Sequence, residues 1–186
     1  MFGWFSCASI HACLPSASRH RRWLRTAPTR LAAQLPSLGT VLYLPSATAL
    51  CNAHTPLPSW VAERIELAPL LRCCWIAAIS EVGPEGPREW IECFDPHGAW
   101  LARLYLLPDT DYLAWDALLG TAVALNTAPR LRMLQPMRCA MAAPLQFRQR
   151  RLGGLMLLGA DESTELSALG QGVANDVARE VGVPVF

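Results

Sequence analysis

The sequence predicts one α+β domain, and three observations carry that prediction. Two apolar runs with period-two alternation flank Asp95-Pro96-His97-Gly98, as in a β-hairpin. "LGTVLYL" (38–44) is a short β-branched and aromatic run bounded by Pro36 and Pro45, as in a strand. The segment from Glu162 to Val181 instead repeats Leu166, Leu169, Val173, Val177 and Val181 at helical spacing. No internal repeat or low-complexity linker divides the chain.

The remaining elements follow in order. "HRRWLRTAPTRLAAQL" (20–35) reads as a basic helical segment interrupted at Pro28, with Trp23, Leu24, Leu31 and Leu35 on its buried side. "PLPSWVAERIELAPLL" reads as a short helix with Ser59 as its N-cap. "CCWIAAISEV" is a buried strand and "GPEGP" (83–87) a turn. In the hairpin, Trp90 and Glu92 share a face. Across the turn, Trp100, Ala102, Leu104 and Leu106 share one face and Leu101, Arg103 and Tyr105 the other. Pro at the second and Gly at the fourth position of the turn suit type I, giving a four-residue loop. Asp109 or Thr110 then caps a helix carrying Leu113, Trp115, Leu118 and Leu119. Beyond residue 125 further strands are expected, broken by Pro129, Pro136 and Pro144.

Composition narrows the function classes. Hydrophobic residues make up 52% of the 186 and charged residues 17%, so the chain folds rather than staying disordered. A net charge of +1 makes no general case for nucleic acid. All 16 basic residues are Arg, each a planar fork able to grip a carboxylate at two points. Seven cysteines without a C-x-x-C pair read as reduced thiols of a cytoplasmic protein, with no zinc-ligand spacing. The longest apolar runs fall short of the ~20 residues that span a membrane. Residues 1–18 read as a poorly ordered N-terminal extension, its basic cluster following the apolar run in the wrong order for a secretory signal.

The chain carries no G-x-S-x-G elbow, Walker loop, dinucleotide fingerprint or H-E-x-x-H. Asp109 and Asp111 read as capping carboxylates rather than an acid–base pair. Of the histidines, His97 lies in the hairpin turn, and His54 lies in the loop "CNAHTPLP" between strand and helix. Arg103 stands on a half-apolar strand face, where such a side chain either snorkels at the rim or meets an anion.

Three segments in order, "LGTV" (38–41), "FDPHG" (94–98) and "ARLYL" (102–106), followed by "DYLAWDALL", resemble the haem-utilisation proteins of the HemS/ChuX type. The resemblance is strongest over residues 25–120 and makes residues 19–186 a haem-utilisation-like domain. It implies a curved antiparallel sheet with flanking helices, haem binding, and handling of imported haem iron in the bacterial cytoplasm. Some members form homodimers and some degrade haem.

After its first strand that family often has an Arg-Asn pair followed by an iron-ligating His. This chain has "PSATALCNAH" there, which makes His54 the candidate metal ligand. The family's hairpin His-Lys falls on Ala102-Arg103, keeping the cation and losing the imidazole. Arg103, Tyr105 and His97 are the candidate haem-binding residues. The expected function is a haem carrier or accessory protein. A haem-degrading enzyme, and a structural domain that has lost the ligand, are the alternatives.

Overall fold

The computed structural model describes residues 18–51, 59–83, 86–131 and 138–185. Its strands are β1 (Ser18–Arg25), β2 (Gly39–Pro45), β3 (Trp60–Ala62), β4 (Trp75–Gly83), β5 (Gly86–Phe94), β6 (Trp100–Thr110), β7 (Val123–Leu125), β8 (Ala143–Leu152) and β9 (Leu155–Glu162). The helices are α1 (Pro28–Gln34), α2 (Ala47–Cys51), α3 (Tyr112–Thr121) and α4 (Ala168–Val181), with 3₁₀ segments at Leu35–Leu38 and Ile65–Arg72. The strands form one sheet in the order β3-β9-β8-β2-β6-β5-β4-β1-β7. The fold is α+β, as predicted. Every pairing between these strands is antiparallel except β3 with β9, so the sheet is mixed.

Period-two alternation divides the core into two layers. On one face, Val41, Tyr43, Ile76, Ile91, Leu104, Leu145 and Phe147 bury themselves beneath α1, the 3₁₀ segments and α3, which contribute Leu31, Leu35, Leu67, Leu70, Trp115 and Leu118. Burying a side chain of this kind contributes about 1.5–3 kcal/mol each. The other face carries Leu42, Leu44, Ala77, Ile79, Trp90, Phe94, Tyr105 and Leu107, packed with Ala174, Val177 and Ala178 of α4.

Several elements depart from the sequence prediction. Residues 18–25 are a strand rather than helix: Trp23 and Leu24 point to opposite faces, and Leu24 is buried in the helix-covered core. Pro28 begins α1 instead of interrupting it, a position where its missing N–H costs nothing. Ser59 caps no helix. It has φ 68° and leads into β3, with helical turns starting only at Ile65. Asp111, not Asp109 or Thr110, caps α3 by accepting from Ala114 N at 3.0 Å. The Thr110 hydroxyl instead accepts from Leu107 N (2.9 Å) and donates to Thr40 O. The last helix starts at Ala168, after β9 has run to Glu162, and Leu169 is exposed. Pro144 sits within β8 opposite Leu42, and although proline has no N–H to donate, the β2 pairing continues through Gln146. The expected extension over residues 1–18 lies outside the described residues except for Ser18, which begins β1.

Asp109 takes a different task. Its carboxylate accepts from Ser167 N (2.8 Å) and Ser167 Oγ (3.0 Å), while Ser167 Oγ accepts from Gly170 N (3.0 Å). The end of β6 thereby fixes the start of α4, the helix that covers the second face. A Cβ on Gly170 would collide with the Asp109 carboxylate. Gly170→Ala, which gains about 0.5–1 kcal/mol in a free helix, should therefore lose stability here. The expected loss is ~1 kcal/mol, the usual cost of a helix cap, read as a lower thermal midpoint. A raised midpoint would show that Asp109 does not hold α4 in this way.

Candidate functional site

The second face of the sheet concentrates aromatic and charged groups. β1 contributes Arg19, Arg21 and Trp23, and β4 contributes Trp75 and Ala77. β5 contributes Trp90, Glu92 and Phe94, and β6 contributes Trp100, Arg103 and Tyr105. Their registers are consecutive: Trp23 lies opposite Ala77, Ala77 opposite Glu92, and Glu92 opposite Arg103. Trp100 reaches this face through a β-bulge. The register shifts between Cys93 and Phe94, so Phe94 pairs with Trp100 and Leu101 turns into the opposite core. The predicted grouping is therefore corrected at two residues: Leu101 leaves the Arg103 face and Trp100 joins it.

At the centre lies an ion pair. Arg103 donates to Glu92 Oε1 at 2.8 Å and to the Tyr105 hydroxyl at 3.3 Å, and Arg21 stands 3.7 Å from Glu92 Oε2. Glu92 is 2% exposed. Burial acts to lower Arg103's pKa, and the nearby Tyr105 and Glu92 more than offset it, so the guanidinium is held firmly charged. Burial pushes the Tyr105 phenol up, with Arg103 opposing in part, and pushes the Cys139 thiol up likewise.

Rings frame this pair. The Trp90 and Tyr105 centroids are 5.3 Å apart at 28°, and those of Trp23 and Phe94 are 5.5 Å apart. The Arg103 guanidinium carbon lies 5.8 Å from the Trp100 ring centre and 5.9 Å from that of Tyr105. Three buried donors here lack a hydrogen-bond partner: Trp90 Nε1, Trp100 Nε1 and Arg103 Nε. Unsatisfied buried donors are uncommon and call for an acceptor. Trp90 and Tyr105 also line a cavity of about 400 Å³ between α4 and the β4–β5 hairpin. Its charged wall is internally paired, with Arg88 bound to Asp176 and Glu180, and Arg179 to Asp176.

Arg103 thus lies beside Tyr105, as predicted, but it neither snorkels nor stands free: Glu92 already occupies one terminal nitrogen. Glu92 had no assigned role in the sequence. A four-residue loop would have set Leu101 opposite it, and the observed register, two residues longer, sets Arg103 there. His97 is exposed in the turn, where Asp95 Oδ1 accepts from the His97 and Ala99 amides (2.8 and 2.9 Å) and Gly98 N donates to Asp95 O. That places His97 away from Arg103's immediate partners. His54 lies outside the described residues. Among the described residues no three His, Cys, Asp or Glu side chains are grouped to hold a metal ion. No helix among them is long and apolar enough to cross a membrane.

No protein-family model and no curated protein matches the chain.

Removing either partner of a buried ion pair strands the other, at about 3–5 kcal/mol. The two losses should differ here. Without Arg103, Glu92 keeps Arg21; without Glu92, Arg103 keeps only a phenol and cannot shed its proton. Glu92→Ala is therefore expected to lower unfolding stability more than Arg103→Ala, as read by urea denaturation. Equal losses would show that Arg21 contributes nothing to Glu92.

Proposed function

We propose that the chain binds haem as cargo on the aromatic face of the sheet, as a carrier or accessory of haem handling in the bacterial cytoplasm. The observation that carries this reading is Arg103, a guanidinium with 16% of its side chain exposed, set between Trp100 and Tyr105 with its Nε unpartnered. Haem presents an apolar disc with two carboxylates, and a site for it needs aromatic walls and an Arg for a propionate. The segments that resemble the haem-utilisation proteins support the reading by their position. "FDPHG" ends β5 and forms the following loop, and "ARLYL" is the part of β6 that bears Arg103 and Tyr105.

The residues fit the porphyrin and its propionates better than its iron. The described residues of this face include no imidazole. Burial keeps the Tyr105 phenol and the Cys139 thiol protonated, so neither is a ready anionic ligand. Binding is accordingly proposed to run through ring and propionate. A propionate would meet Arg103 at Nε, or displace Glu92 to reach the fork.

Tryptophan quenching on titration with haemin and with iron-free protoporphyrin tests this. Both should bind with dissociation constants within about threefold of each other, and Arg103→Ala should weaken both roughly tenfold. Arg103→Lys, which keeps the charge and loses the fork, should fall between. The dimethyl esters should not distinguish the variants. Absence of saturable quenching would contradict binding. Haemin binding without protoporphyrin binding would put the affinity on the iron, and His54→Ala would then be the variant that removes it.

A further inference from the structure

We infer that the β8–β9 hairpin is a docking element for an anionic lipid surface. β8 pairs with β2 only through Ala143–Gln146, so from Phe147 onward its sole described strand neighbour is β9. β9 in turn meets β3 only at Met156–Leu158. Among the described strands, Leu152–Leu155 therefore has no neighbour outside its own hairpin, which closes on Gly153 and Gly154, where no side chain is present.

Registered partners on neighbouring strands share a face. Leu152 lies opposite Leu155, Arg150 opposite Leu157, and Leu157 opposite Val61. Since Leu152 and Arg150, and Leu155 and Leu157, are two apart, all five side chains stand on one surface. Leu152 is 65% exposed, Leu155 44% and Val61 43%. Large apolar side chains so exposed and contiguous mark a surface that meets something.

Charge says what that is. Arg148, nearer the sheet body, is paired with Glu63 (2.7 Å) and Asp161 (3.1 Å). Beyond it Arg150 and Arg151 are exposed and have no carboxylate partner among the described residues; Arg151 only turns back to Gly153 O. Two unpaired guanidinium groups, Arg150 on the leucine face and Arg151 on the opposite face in register with Met156, flank the leucine tip and complement a surface that is apolar within and anionic at its boundary. Leucines enter the acyl boundary while the arginines meet lipid phosphates.

Co-sedimentation with large vesicles tests the assignment, using phosphatidylcholine alone and phosphatidylcholine with about 30% phosphatidylglycerol. The wild type should bind the mixed vesicles and not the neutral ones. Arg150→Gln with Arg151→Gln, and separately Leu152→Ser with Leu155→Ser, should each weaken that binding roughly tenfold. Neither pair should move the thermal midpoint, because the side chains are exposed. No binding of wild type to the mixed vesicles, or equal binding by wild type and both variants, overturns the proposal. A wild-type dimer that the leucine variant dissolves in sedimentation velocity also overturns it, since a second copy then covers the patch.

Discussion

A carboxylate that is 2% exposed on a sheet face governs how that face is arranged. Taking Glu92 and Arg103 out of water costs several kcal/mol per ion, which their attraction offsets only with good geometry and with the remaining polar atoms satisfied. The 2.8 Å contact supplies the geometry, and Tyr105 and Arg21 supply two further partners. The unpartnered Nε of Arg103 and the two indole nitrogens leave the network incomplete. A buried polar network that is satisfied on one side and short of acceptors on the other suits a place where a ligand contributes the missing atoms.

The two faces of the sheet divide the labour. The face beneath α1, α3 and the 3₁₀ segments is apolar and closed, with Tyr43 sending its hydroxyl to Glu66 O. Burial holds the Tyr43 phenol well up, consistent with a neutral group locked in a core. The opposite face has one described helix, α4, fastened at its start by Asp109 and along its length by Arg88. Trp23, Trp75 and Trp100 remain only half-buried there. The larger apolar cluster lies on the closed face, and the aromatic face holds the buried Glu92–Arg103 pair.

Local patterns in the sequence were enough to find β2, β4, the β5–β6 hairpin and the α+β class, because alternation and turn chemistry act over a few residues. They were not enough for β1. Its arginines read as a helical basic face until β4 supplies Glu81, across from Arg19 in register, and pairing fixes the strand. Arg103 could be singled out as a cation on a half-apolar face. Its partner could not, since matching Glu92 to Arg103 depends on a loop register that the turn residues alone do not set. The bulge that moves Trp100 beside Arg103 and Leu101 away from it is likewise a property of the paired strands. Asp109 was expected to cap the adjacent helix, and instead it holds Ser167, the N-cap of α4, 58 residues later.

The central claim is that Glu92 and Arg103 form one energetic unit at the heart of the aromatic face. A double-mutant cycle with Glu92→Gln and Arg103→Gln, measured by urea unfolding, tests it most directly. The account predicts a coupling energy of at least about 1.5 kcal/mol, as for hydrogen bonds between charged groups in a buried network. Losses that add to within about 0.5 kcal/mol would mean that the two residues act independently, and would contradict it.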